Sequence, residues 1–229
     1  ELQRLNGWPL RHADDLHGLL LKIGALTFDE IAQRCSTKDV ESGRCREWLD
    51  ELLHRRRAFA FQLTGGDSHS SLLQHKERFA TAEDAGRLRD ALGVMPPSGL
   101  ADAFLEPVQD ALTDLVSQFA RTHGPFTAHE VAARLGLGVA PVLSTLTLLQ
   151  GQERVIEGEF LPGRRGREWC DVNVLRLIKR RCLAALRKEV EPVEADALAR
   201  FLPEWHGITR PRKGLDGLLD AIEQLQGAP

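Results

Sequence analysis

The 229-residue sequence predicts a mainly α-helical chain with small β wings, built as tandem winged helix-turn-helix units. Three observations carry this. First, Gly24-Ala-Leu-Thr-Phe-Asp-Glu-Ile-Ala-Gln-Arg34 aligns without a gap to Gly124-Pro-Phe-Thr-Ala-His-Glu-Val-Ala-Ala-Arg134, so one supersecondary unit is used twice. Second, each copy holds a capping box, Thr27-x-x-Glu30 and Thr127-x-x-Glu130. In such a box the Thr hydroxyl and the Glu carboxylate satisfy each other's backbone amides and start a short helix. Third, an apolar helical pattern precedes each box, and a second helix and a strand pair follow it.

The elements follow in order. Asp14 or Asp15 is placed to cap a helix through Ile23, with Leu16, Leu19, Leu20 and Ile23 on one face. The boxed helix spans Phe28 to Arg34, and a polar loop leads to a third helix near Gly43–Arg56 with Trp48, Leu49, Leu52 and Leu53 inward. Residues 58–63 alternate as a strand, Gly65-Gly66-Asp67 turns it, and a long wing returns near Glu77–Ala80. Thr81-x-x-Asp84 opens a helix to Leu92, closing a first unit over 1–95. Pro96-Pro-Ser-Gly-Leu100 is the linker.

The second unit, 101–190, has helices at 112–121, 128–135 and 139–150, then a strand at 154–160. A wing tip Leu161-Pro-Gly-Arg-Arg-Gly-Arg167 and a return strand from Glu168 come next, and a long helix near 171–190 closes the unit. Residues 191–229 echo the repeat weakly and read as a third, incomplete helix-turn-helix with a helix at 215–225. The abrupt ends suggest a piece of a longer polypeptide.

Apolar residues make up 42%, enough for real cores, and the net charge is −3, which argues mildly against a dedicated nucleic-acid protein. The four cysteines lack metal-site spacing and read as reduced cytosolic thiols. No signal peptide or long apolar run is present, so no membrane segment is expected. The histidines lack ligand-spaced partners, and no phosphate-cradling loop or catalytic triad order occurs, so no cofactor, metal or catalytic residue is expected in the chain itself.

Four basic clusters are the candidate phosphate contacts. Arg55, Arg56 and Arg57 stand where a helix meets a wing strand. Arg164, Arg165 and Arg167 sit on a tip framed by Gly163 and Gly166. Arg176, Arg180 and Arg187 share an arc of one helix, because steps of four and seven return to nearly the same angle. Arg210, Arg212 and Lys213 lie on a loop. A solvated polar face is the plain alternative for each. The helix at 139–150 holds no Arg, Lys or Asn, so base-specific readout is not expected of it. Trp48 and Trp169 are expected in cores, whereas Trp8 and Trp205 stand beside loops.

The run Gly166-Arg-Glu-Trp-Cys-Asp171, with Arg180-Arg-Cys-Leu-Ala-Ala-Leu-Arg187 and Leu198-Ala-Arg-Phe-Leu-Pro-Glu-Trp205, resembles the Lhr (large helicase-related) family. Gly214-Leu-Asp-Gly-Leu-Leu-Asp220 and Arg121-Thr-His-Gly-Pro-Phe126 continue the likeness, which covers essentially the whole chain. The resemblance implies a bacterial superfamily 2 helicase, an ATP-driven motor on single-stranded DNA that is associated with DNA repair. It places the chain behind two RecA-like motor domains. DNA, single-stranded or as a tailed duplex, and those motor domains are then the expected partners, and ATP with Mg the motor's cofactors. A cytoplasmic location follows. The expected role is a non-catalytic module that grips DNA or braces the motor. The alternatives are a glycosylase-like winged-helix array acting on damaged DNA, and a protein-docking scaffold.

Overall fold

A computed structural model describes residues 10–63, 77–163, 166–189, 194–209 and 213–225. Residues 1–179 form one compact unit and 180–229 a second.

Helix α1 (Ala13–Ile23) buries Leu16, Leu19, Leu20 and Ile23, the predicted face. Its cap is His12, whose ring accepts the Asp15 amide, rather than either aspartate. Thr27 caps α2 (Phe28–Ala32) through the predicted box. The segment read as a polar loop contains a five-residue helix, α3 (Thr37–Glu41), capped by Ser36. Its Ser-x-x-Asp start is the signal that was available. Helix α4 (Arg44–His54) seals Cys45, Trp48, Leu49 and Leu52 into the first core.

Strand β2 (Ala58–Phe61) pairs with β3 (Arg78–Thr81), and β3 also pairs with a two-residue β1 (Leu26–Thr27), giving the order β1-β3-β2. The wing is therefore three-stranded, because the residues just before the cap lie extended beside the returning strand, with Leu26 opposite Phe79. Helix α5 (Ala85–Leu92) follows a 3-10 turn at Ala82–Asp84.

The second repeat copies this plan. Helices α6 (Ala111–Thr122), α7 (Ala128–Leu135) and α8 (Val139–Gly151) enclose a core of Val116, Phe126, Val131, Val142, Leu146, Leu149 and Trp169. Strands β4 (Val155–Gly158) and β5 (Glu168–Asp171) make its wing. Phe126 bridges Trp169 through two backbone bonds of 2.9 and 2.7 Å, as Leu26 meets Phe79. A third cluster joins Phe59, Phe61, Leu63 and Leu88 of the first repeat to Leu115 of the second, with Leu135 against it, so the repeats share apolar contact.

Helix α9 (Val172–Glu189) follows β5. In the second compact unit, α10 (Ala195–Trp205) and α11 (Gly214–Leu225) are strongly amphipathic. Trp205 is exposed beside Phe201, with ring centroids 5.3 Å apart. Trp8 lies outside the described residues.

The thiol reading needs correction for one pair. Cys35 and Cys45 form a disulfide, because α3 folds the chain back and brings their Cα atoms to 6.5 Å. Cys170 is buried, which pushes its thiol up to about 11, and Cys182 is exposed.

Candidate nucleic-acid interface

The second wing is shaped by one buried carboxylate. Glu168 Oε2 accepts the amides of Phe160 (2.8 Å) and Leu161 (2.9 Å), which turns the chain out of β4. The Phe160 ring folds over Gly158, where an added Cβ would lie 3.0 Å from Cζ. Gly163 (φ 82°) and Gly166 (φ 120°) take left-handed conformations that favour glycine at the tip. Arg164 and Arg165 lie outside the described residues. The Arg167 side chain is 79% exposed and pairs with Glu157 at 3.1 Å. An exposed pair of this kind is weak, and the guanidinium stays available to another anion.

Asp171 then caps α9 by accepting the amides of Asn173 (2.8 Å) and Val174 (3.2 Å). Arg176 is exposed and donates to Asn173 Oδ1 at 3.2 Å. Arg180 and Arg187 belong to the part of α9 in the second unit. Both are exposed, and among the described residues neither has an ion-pair partner. Lys213 is exposed, while Arg210 and Arg212 lie outside the described residues.

Within the Arg55–Arg57 cluster, Arg56 and Arg57 are engaged with distant protein groups, and Arg55 makes only an exposed pair one helical turn away. Arg55 pairs with Glu51 at 3.0 Å. Arg56, itself at φ 54°, donates to the Gly99 carbonyl at 2.9 Å, and a Cβ on Gly99 would fall 2.1 Å from its Nη1. Arg57 binds Asp14 and reaches His17 Nδ1 at 3.2 Å. A guanidinium only donates, so that ring nitrogen accepts. Arg56 and Arg57 tie the end of α4 to the linker and to α1, while the exposed Arg55–Glu51 pair is weak.

The third helices of the two repeats differ. On α4, Arg44 pairs with Asp39 (3.3 Å), and Arg46 pairs with Asp50 (3.2 Å) while lying over the Phe28 ring. On α8 the exposed face carries Leu143, Ser144, Thr147 and Leu148 and no charge. Ser144, Thr145 and Thr147 all donate back to carbonyls four residues earlier.

The most concentrated charge was not singled out from the sequence. Arg134 of the second repeat spans to Glu30 of the first, and its Nη2 also donates to the Ala25 carbonyl at 2.8 Å. Arg78, almost fully buried, donates to the Arg134 carbonyl. Arg34, in the turn after α2, folds back onto the Glu30 carbonyl of that helix. Burial opposes charge on Glu30, but the hydrogen bond and charge of Arg134, with the Thr27 amide, outweigh it and hold the carboxyl below its usual range. Burial and the nearby Arg134 push Arg78 down to about 10. Asp29, Glu30, Glu130, Arg78 and Arg134 line an open groove of about 490 Å3 between α2 and α7. The repeat did place Glu30 and Arg134 in matching frames. What it could not show is that the arginine of one copy meets the glutamate of the other.

Comparison with known proteins agrees with the winged-helix architecture. Two family models, each described as a large helicase-related protein winged-helix domain, match residues 1–107 and 193–229. The chain is 42% identical over 233 residues to a Mycolicibacterium smegmatis protein named Lhr helicase/probable uracil glycosylase, covering 100% of the chain and 14% of that protein. It is 33% identical over 245 residues to the Escherichia coli Lhr helicase/uracil glycosylase, covering 99% of the chain and 15% of that protein. The chain thus spans about one seventh of the length of these curated relatives. Tandem wings, repeated capping boxes and matches along the sequence lead to one assignment: the chain belongs to the large helicase-related (Lhr) family and carries winged-helix domains of it.

Proposed function

We propose that this chain is a non-catalytic module of an ATP-dependent DNA helicase, gripping the sugar–phosphate backbone of single-stranded or tailed DNA and bracing the RecA-like motor domains of the same polypeptide. The observation that carries the reading is on α9, where Arg176, Arg180 and Arg187 are exposed and, among the described residues, face no carboxylate partner. Arg167 on the adjoining wing supports it, and Arg164 and Arg165 belong to the same proposal. Arg55, in an exposed pair like that of Arg167, belongs to the same proposal, and Arg56 and Arg57 enter as secondary contacts, since their present bonds would have to be shared or broken. ATP and Mg act at the motor, and the cytoplasm is the proposed location. Among the described residues no single helix is long and apolar enough to cross a membrane.

Phosphate contacts position without reading sequence. Replacing Arg176, Arg180 and Arg187 by Ala in the full-length helicase should therefore weaken DNA binding about equally for all sequences. The slope of log affinity against log salt should fall by roughly 0.7 to 0.9 for each phosphate that is no longer neutralised. Fluorescence anisotropy at several salt concentrations measures this. Unchanged affinity with unchanged slope would overturn the reading.

One observation favours a second reading, a protein-docking scaffold: the uncharged exposed face of α8 holds Leu143 at 40% and Leu148 at 49% exposure. In that case Leu143→Asp with Leu148→Asp would disrupt partner binding and leave DNA affinity intact. A glycosylase-like role, suggested by the names of the relatives, would need a carboxylate or a Gln in a base-sized pocket. Glu30 faces the open groove, but its carboxylate is held by Arg134 and by the Thr27 amide.

A further inference from the structure

The Cys35–Cys45 bond spans a segment that the core does not hold. None of the residues of α3 is buried. Its order comes from the Ser36 cap (Asp39 N to Oγ, 3.2 Å), the exposed Arg44–Asp39 pair and the left-handed Gly43 at φ 77°. The two ends of the segment are fixed far better. Cys45 is 1% exposed and packs in the first core with Leu49 and Ile31. Cys35 packs partly against the same core, and its amide donates to the Ala32 carbonyl at 3.1 Å. Both residues are anchored to the same core, and Cys35 is the more exposed of the two.

We infer that Cys35–Cys45 is a reversible redox site for a low-molecular-weight thiol/disulfide couple, and that its state sets the order of the Ser36–Gly43 turn. The partly exposed Cys35 dictates the course of exchange. An external thiolate attacks Sγ of Cys35 and forms a mixed disulfide, and the bond to Cys45 breaks. Cys45 leaves as a thiolate and takes up a proton. A second thiolate attacks the external sulfur of the mixed disulfide and releases Cys35. Two external thiols become one external disulfide, and the protein gains two thiols. The reverse sequence closes the bond. Because the first core holds Cys45 and packs against Cys35, closure competes well with a second external thiol. In a reducing compartment the dithiol is the resting form.

The consequence is local. With the bond closed, the segment between the cysteines has few accessible conformations. With it open, α3 is tied only by chain connectivity and surface polar contacts, the kind of region that opens at low free-energy cost. The turn lies between α2 and α4, the helix pair of the first helix-turn-helix.

The test uses the full-length protein with Cys182→Ser, which removes the exposed thiol from the count. Equilibration across ratios of glutathione to glutathione disulfide, acid quenching and alkylation are followed by peptide mass spectrometry. The expected result is a single transition in which both Cys35 and Cys45 change from alkylated to disulfide-linked. Hydrogen exchange in the oxidised form should be slower for residues 37–43 by on the order of 10-fold, with α1 and α8 unaffected. A Cys35→Ser variant should show the reduced exchange pattern at every ratio. Alkylation of both cysteines at all ratios would overturn the site. Identical exchange over 37–43 in both states would overturn its effect on the turn.

Discussion

The two copies of the repeated segment share their capping boxes, and they differ in helix length, Phe28–Ala32 against Ala128–Leu135, and in how they meet the rest of the molecule. In both, the Thr amide donates to Glu Oε2 at 2.8 Å and the Glu amide donates to Thr Oγ1 at 3.3 Å. Ile31 and Val131 are both fully buried. Yet Glu30 is half-buried under Arg134, while Glu130 is exposed. Arg34 is buried against α2, whereas Arg134 leaves its helix for the other repeat. The repeated glycine differs as well. Gly24 sits at φ 93°, where an added Cβ would lie 3.1 Å from Gln118 Oε1, while Gly124 has open space around it and no left-handed φ. A duplicated sequence therefore keeps its capping bonds, and packing gives its other side chains separate tasks.

That contrast breaks first at the arginines. Arg134→Ala should cost about 2 to 3 kcal/mol, because it strips the half-buried Glu30 carboxylate of its counter-charge and the Ala25 carbonyl of a donor. Arg34→Ala, losing its bond to the Glu30 carbonyl, should cost about 1 kcal/mol. Urea denaturation of both variants decides the matter, and equal losses would remove the asymmetry.

The caps should show the opposite, a near identity. Thr27→Ala and Thr127→Ala should each cost about 1 kcal/mol, because each deletes the same acceptor for one helix amide. A clear difference in denaturation midpoint would mean that the boxes are coupled to their surroundings after all.

The smallest effect sharpens the comparison in acid. The folded Glu30 carboxyl lies below its unfolded value, so its ionisation contributes stability that is fully present above the unfolded value. This contribution is lost as pH falls through the folded one. Glu30→Gln should flatten the limb of the stability profile below about pH 5 and leave its slope between about pH 7 and 8 unchanged. An acid limb as steep as that of the native chain would show that the Arg134 contact does not act through the charge of Glu30.

What the amino-acid sequence determined by itself is local and periodic. The capping boxes, the apolar faces of α1 and α4, the start of α7 at Ala128 and the two wings all follow from bonds three residues apart or from helical and strand periods. Even the Ser36 cap of α3 was there to be read. The tertiary structure alone decided the rest. Leu26 beside Phe79, Arg134 on Glu30, Arg56 on Gly99 and the pairing of Cys35 with Cys45 depend on which surfaces packing brings together. The engagement of Arg56 and Arg57 with protein is the plainest case. An arginine run shows the same pattern on paper whether its guanidiniums face solvent or carboxylates. For Arg56 and Arg57 the choice is made by Gly99 and Asp14, each more than forty positions away, and no periodicity reaches that far.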